Sequence, residues 1–251
     1  MQPTKAIVRE PGDSYARCIS SHPQRATIDV ALARRQHATY CRTLVDLGLE
    51  IIRLPRDDSH PDSCFVEDNA VVFGKRALIC RMAVESRRGE ETEVERTLSQ
   101  YLRTRRAGMP ATVEGGDVIH LEDGLISGVT QRTNNDGVRQ LRDWLEVSVD
   151  TIEDPSIVHL KSYVNYLGRG RAIATKRYSS HPALSNLEVM TVQDDDWYST
   201  NNIVLDDSVI MPEGFPRTEA ILKEAGYRPM ALEMTEFPKC EGALTCLSIL
   251  F

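Results

Sequence analysis

The sequence predicts an α/β fold built as a closed ring of five ββαβ units, in one domain spanning residues 1–251. Two observations carry this. A pattern of two short apolar runs, an amphipathic stretch and a further apolar run recurs along the chain. Equivalent points in that pattern, Glu67, Glu114, His159, Asn202 and Cys246, lie 47, 45, 43 and 44 residues apart. A period of roughly 20–50 residues marks a closed array or a solenoid, and closing the ring hides the sheet edges.

The first unit pairs Val66-to-Phe73 with Ala77-to-Arg81. An amphipathic stretch from Gly89 to Leu102 follows, with Val94, Leu98, Tyr101 and Leu102 at helical spacing. The second pairs Ala111-to-Leu121 with Gly124-to-Val129, and its helix presents Val138, Leu141, Trp144 and Leu145 on one face before the run Val147-Ser148-Val149. In the third, His159-to-Leu167 pairs with Arg171-to-Thr175, and the helix is short. In the fourth, Asn202-to-Leu205 pairs with Val209-to-Pro212, and the helix runs from Pro216 to Ala225, with Gly226 as its stop. The fifth is split across the termini. Gly242-to-Phe251 supplies one run, Lys5-to-Arg9 the second, and Arg34-to-Leu47 the helix, stopped by Gly48.

Composition narrows the function classes. Hydrophobic residues make up 41% and charged residues 27% of 251, enough apolar material for a sizeable core. The net charge is −7 and no basic stripe runs along the chain, which argues against a nucleic-acid partner. No apolar stretch approaches the roughly 20 residues of a membrane helix. None of the six cysteines forms a C-x-x-C pair, and Met1-to-Lys5 lacks the apolar run of a signal peptide. All six thiols are therefore expected to be reduced and the location cytoplasmic.

In a ring of equivalent units, equivalent ends converge near the axis. Glu67, Glu114, His159 and Cys246 would then surround one central pocket. A thiol becomes a good nucleophile when a histidine or a cationic substrate lowers its pKa from about 8.5. A carboxylate bonded to the imidazole fixes its tautomer and raises its basicity. Taken singly, each residue has a plainer reading: Cys246 as a small core residue, His159 as structural, Glu67-Asp68 as a strand-edge pair, and Glu114-Gly115-Gly116-Asp117 as a turn. Their shared phase favours chemistry.

Seven segments, spread in order over nearly the whole chain, sharpen this: Pro61-to-Asp68, Glu85-to-Glu90, Thr112-to-Asp117, Gln131-to-Asn134, His159-Leu160-Lys161, Thr200-Asn201-Asn202 and Gly242-to-Phe251. As a set they closely resemble the dimethylarginine dimethylaminohydrolase (dimethylargininase) family, within the guanidino-group-modifying superfamily called penteins. The resemblance implies a five-bladed α/β propeller with pseudo-fivefold symmetry, no cofactor and no metal requirement. It implies hydrolysis of N-methylated L-arginines to citrulline and a methylamine. Cys246 would attack the guanidinium carbon, His159 would act as acid and then base, and Glu114 would orient His159. Asp68, with Glu67, would hold the guanidinium nitrogens, and Arg87 and Arg132 the α-carboxylate. Asp62 and backbone carbonyls near Ile19 and Cys240 would take the α-amino end.

These roles suit the residue types. Carboxylates only accept hydrogen bonds, as a planar cation requires, and arginine forks match a carboxylate. The segment Arg9-to-Ser21 holds Pro11, Gly12, Asp13 and Ser14 and reads as a mobile loop, which in the family covers the substrate. In place of the Asp found two residues after the histidine in arginine deiminases stands Lys161. This favours methylated over free arginine, with Lys161 otherwise read as an outward strand residue and Glu67 as the replacement grip. The partner is thus a small arginine derivative, with no nucleic acid and no membrane, acting on a monomer or homodimer. The alternatives are a hydrolase of free arginine or another guanidino compound, and a non-catalytic propeller that would lack the thiol, imidazole and carboxylates.

Overall fold

A computed structural model describes residues 2–251. Five three-stranded sheets follow one another around an axis. The split unit contains β1 (Lys5–Val8), α1 (Val30–Asp46) and β2 (Glu50–Arg53). The next three complete units are β3 (Ala70–Phe73), β4 (Arg76–Ile79), α2 (Glu91–Leu98) and β5 (Arg103–Arg106); β6 (Val118–His120), β7 (Gly124–Val129), α3 (Asn135–Leu145) and β8 (Ser148–Glu153); and β9 (Val164–Gly168), β10 (Arg171–Thr175) and β11 (Glu188–Val192). The last are β12 (Ile203–Leu205), β13 (Ser208–Pro212), α4 (Pro216–Glu224) and β14 (Arg228–Leu232), followed by β15 (Ser248–Leu250). Within each unit the middle strand pairs antiparallel with one neighbour and parallel with the other. In the split unit Ile7 stands opposite Ile249 and Ile52, so the two ends of the chain share one sheet. This is the expected five-bladed α/β propeller.

Three details differ from the sequence reading. The third unit has no α-helix, only a short 3-10 turn at Pro182–Leu184. Helix α2 ends at Leu98, so Tyr101 lies beyond it, exposed, against Phe251. Helix α1 begins earlier, at Val30, because the Asp29 side chain accepts the Leu32 backbone N–H at 3.0 Å and caps it. The helix stops fall where expected: Gly48 and Gly226 take φ of +93° and +86°, a region L side chains seldom enter.

Helices α1 to α4 bury one face each. Ala33, Tyr40, Cys41 and Leu44 of α1 join the largest core, which also contains Tyr15, Phe65, Phe237 and Cys246. Val138, Leu141 and Leu145 of α3 pack on Leu78 and Leu125 from β4 and β7, so this helix bridges two units. Trp144 adds an indole N–H donated to the Ala77 carbonyl at 2.9 Å. Among the described residues no helix is long and apolar enough to cross a membrane.

What positions the site is a set of short 3-10 turns that precede the first strands: Val66–Asn69, Gly115–Asp117, Leu160–Ser162, Asp194–Thr200 and Thr245–Leu247. The first four turns touch one another in that order, and the last touches the first. Asn201 closes the ring: its side chain accepts the Thr245 N–H at 2.8 Å and donates to the Thr245 hydroxyl at 3.1 Å.

Candidate active site

The turns deliver most of the residues the sequence singled out. Glu114 and His159 stand immediately before their turns, and Glu67 and Cys246 one residue inside theirs. The phase equivalence is therefore good to within two residues, enough to aim all four units inward. One cavity is lined by Cys246, His159, Asp68, Asp62, Arg87 and Arg132, together with Phe65, Val158, Gly242, Ile19, Cys240 and Glu241.

His159 Nε2 lies 2.8 Å from Glu114 Oε2 and 3.7 Å from Asp68 Oδ1. Glu114 is fully buried and held in turn, with its Oε1 accepting the Ala83 N–H at 3.0 Å. Burial alone would lower the His159 pKa. The nearby Asp68 charge and the hydrogen bond to Glu114 outweigh it and raise the pKa to about 9, so the imidazole carries a proton at neutral pH. Asp68 accepts the Gly116 N–H at 3.0 Å and an Arg87 N–H at 2.9 Å. Burial opposes its charge, but His159 and Arg87 prevail and hold the carboxyl below its usual range. Burial pushes the Cys246 thiol well above the usual thiol range, and Glu67 and Asp68 push it further.

Two arginines differ in what they are free to do. Arg87 is buried with its fork committed, two N–H groups to Glu90 at 3.0 and 2.9 Å and one to Asp68. Arg132 Nη1 is buried without a hydrogen-bond partner, an unmet donor at the cavity. Asp62 is buried and receives the Ile19 N–H at 3.2 Å. Its carboxyl is raised, mainly by burial.

Glu67 is placed elsewhere than expected. It is not part of the cavity lining, because Oε1 accepts from Lys161 Nζ at 2.6 Å and Oε2 from the Thr245 hydroxyl at 2.7 Å. Lys161 is correspondingly buried, not an outward strand residue. A second correction concerns sulfur. Cys18 and Cys240 form a disulfide with Cα atoms 5.8 Å apart, so those two thiols are not reduced; Cys41, Cys64, Cys80 and Cys246 are free and buried. No sequence signal separated this pair, since the two cysteines lie 222 positions apart.

The bond also fastens the segment Arg9-to-Ser21, which is tied down where the sequence suggested mobility. Tyr15 is fully buried against Phe65 and Phe237. The Ile19 N–H is held by Asp62, and the Ser20 hydroxyl donates to the Lys239 carbonyl at 2.7 Å.

Sequence reasoning missed Gly116 and Asp117 as individuals, although both lie in a segment it quoted. A Cβ on Gly116 would come within 2.8 Å of Asp68 Oδ1 and of the His159 ring, so only glycine permits this approach. Asp117 accepts the Leu160 N–H at 2.9 Å and the Thr130 hydroxyl at 2.8 Å, fixing the turn that follows His159. Asp68, Glu114 and His159 offer ligand atoms within 4.8 Å of one another, a group that can in principle hold a metal ion. Arg87 competes for it, with a guanidinium nitrogen 2.9 Å from Asp68 and 3.8 Å from Glu114.

A thiol, a histidine bonded to a buried carboxylate and a second carboxylate meet at one cavity of a five-bladed α/β propeller, the set of groups implied by the resemblance to the guanidino-group-modifying superfamily. No family model matches the chain. The chain is 33% identical to N(G),N(G)-dimethylarginine dimethylaminohydrolase of Pseudomonas aeruginosa over 228 residues, covering 89% of this chain and 90% of that one. To the enzyme of the same name from Streptomyces coelicolor it is 34% identical, covering 99% and 97%. The chain belongs to the dimethylarginine dimethylaminohydrolase family. The Pseudomonas enzyme, solved as a cysteine-to-serine mutant complexed with citrulline, superposes with a TM-score of 0.96 over all of both chains at 32% identity. The N-terminal domain of a cyanobacterial arginine dihydrolase shares the fold, with a TM-score of 0.89 at 19% identity over 98% of this chain and 97% of that one.

Proposed function

We infer that the chain hydrolyses N-methylated L-arginines, asymmetric dimethylarginine and monomethylarginine, to L-citrulline and dimethylamine or methylamine. The observation that carries the reading is the convergence of Cys246, the His159–Glu114 pair and Asp68 on one cavity.

Asp68 takes guanidinium N–H groups and brings the cation beside the thiol. The thiol is held protonated by burial and by two carboxylates, so a bound cation is what favours loss of its proton to solvent. The thiolate then attacks the guanidinium carbon. The C–N bond to the methylated nitrogen breaks, and the departing amine takes a proton from His159, whose Nδ1 is the nitrogen not engaged with Glu114. A thiouronium remains on Cys246. His159, now neutral, takes a proton from water; the hydroxide adds to the carbon and the thiolate leaves, giving citrulline. Each proton-transfer role is worth roughly 10²–10⁴-fold.

Arg132 meets the α-carboxylate with its unpartnered N–H. Arg87, locked to Glu90 and Asp68, serves chiefly to hold Asp68 in place. Asp62 and the backbone at Ile19 receive the α-amino group. Methylated substrates are preferred because Lys161, tied to Glu67, leaves no second carboxylate to lose its donors against N-methyl groups. The test is kcat/KM for monomethyl-, asymmetric dimethyl-, symmetric dimethyl- and unmodified L-arginine. The first two are expected to lead. A clear preference for free arginine would place the chain with the alternative hydrolases.

A further inference from the structure

Lys161 and Glu67 form a buried ion pair behind the cavity, not in its lining. Glu67 belongs to the first turn of the ring and Lys161 to the third, so the bond spans units that are not neighbours in sequence. Its far end reaches the nucleophile. Glu67 Oε2 accepts the hydroxyl of Thr245, the residue before Cys246, at 2.7 Å. The same hydroxyl accepts from Asn201, which also donates to the Lys161 carbonyl at 3.2 Å. Three units therefore converge on the turn Thr245–Leu247, and Lys161 meets it from two sides: through its ammonium by way of Glu67, and through its carbonyl by way of Asn201.

We propose that Lys161 is a positioning residue for the nucleophile: through Glu67 and Thr245 it fixes the turn that carries Cys246, and its charge offsets the carboxylate behind the thiol. The proposal rests on the reading of Cys246 as the nucleophile. Glu67 must stay ionised to accept from both partners, and burial opposes that charge while Lys161 supports it. A carboxylate left behind Cys246 without Lys161 would oppose formation of the thiolate. The titratable groups near Cys246 come from four units: Cys64, Glu67 and Asp68 from the first, His159 and Lys161 from the third, Tyr198 from the fourth and Tyr40 from the fifth. Of these, Lys161 is the cation paired to the carboxylate that holds the turn.

A purely structural staple between units would cost folded protein when broken, and nothing else. The two roles separate in a pH profile. Alkylation of Cys246 by iodoacetamide is followed from pH 6 to 10 by mass spectrometry of its peptide in the intact chain, with kcat and KM measured alongside. Lys161→Met is expected to move the alkylation profile up by about one pH unit, slowing the reaction about tenfold at neutral pH. It is also expected to lower kcat at least as much, with KM within about threefold. Glu67→Gln leaves Lys161 uncompensated and is expected to move the profile the opposite way. If Lys161→Met does not fold, the Glu67→Gln profile decides alone. A profile that stays on the parent's in either folded variant, or a shift in Glu67→Gln to higher pH, would overturn the proposal. Cys246→Ser is the separate control: full hydrolytic activity there would remove the nucleophile reading, while the alkylation profiles would still report on Lys161.

Discussion

Gly116→Ala places one methyl group between the two parts of the site. The added Cβ would stand 2.8 Å from Asp68 Oδ1, 2.8 Å from His159 Cγ and 2.9 Å from His159 Nδ1, where ordinary contact begins at 3.4 Å. One or both side chains must retreat by about half an ångström. Asp68 is held by Arg87, which is itself held by Glu90 in a buried network, so the imidazole is the softer partner. Moving it stretches the 2.8 Å bond to Glu114. A misplacement of about 1 Å at a reacting group costs on the order of 10²-fold, so kcat should fall roughly ten- to a hundredfold. Overpacking of this kind costs about 1–3 kcal/mol, which in a chain of this size lowers Tm by several degrees. Steady-state kinetics on asymmetric dimethylarginine and a thermal melt read both. Gly108→Ala, whose Cβ would meet nothing within 4 Å, is the control and should leave both unchanged. A Gly116→Ala enzyme with kcat within twofold of the parent would refute the placement of His159 against Asp68 as catalytic.

Further outcomes follow from the same geometry. Breaking the Cys18–Cys240 bond frees a loop of 222 residues in the unfolded chain, for which loop entropy gives at most about 5 kcal/mol. Reductant should lower the guanidinium midpoint of the parent and leave that of Cys18→Ser unchanged, and a parent indifferent to reductant would contradict the pairing. Agmatine lacks the α-carboxylate, and losing one charge-assisted contact costs about 1.5–3 kcal/mol, so kcat/KM should drop at least tenfold. Arg132→Ala should then reduce turnover of the amino acid but not of agmatine, and equal losses on both would rule out the clamp. The His159 pKa, about 9, lies above the 6.5 of an unperturbed histidine. Its contribution to stability is therefore full below pH 6.5 and lost as pH rises through 9. Denaturation midpoints should fall across that window in the parent and stay flatter in His159→Ala; parallel slopes would argue against the charged pair.

The architecture was legible because each ββαβ unit repeats its hydrophobic pattern at nearly constant spacing. The glycine stops at Gly48 and Gly226 fell where the helices end, since only a left-handed turn leaves those helices. Cys246, His159 and Glu114 could be picked out because ring symmetry brings equivalent turns together; the same symmetry pointed to Glu67, and Asp68 came only from the family resemblance. Side-chain direction was not legible. Glu67 and Asp68 are adjacent in sequence, yet Asp68 faces the cavity and Glu67 turns away to Lys161 and Thr245. Likewise Arg87 and Arg132 looked alike in sequence, and the bonds of Arg87 to Glu90 and Asp68 are what distinguish a committed fork from a free one. The Cys18–Cys240 pair was out of reach because a contact between positions 222 apart depends on ring closure and on the path of the segment Arg9-to-Ser21, neither of which periodicity specifies.

The central claim is that Cys246 becomes covalently bonded to the guanidinium carbon during turnover. Rapid acid quench of the parent mixed with excess asymmetric dimethylarginine, followed by peptide mass spectrometry, tests it directly. The peptide containing Cys246, and no other cysteine peptide, is expected to gain the mass of the substrate less one dimethylamine. The adduct should persist longer in His159→Ala once formed, because the group that activates water is gone. Turnover at the parental rate in Cys246→Ser, or an adduct on Cys41, Cys64 or Cys80 with none on Cys246, would contradict it.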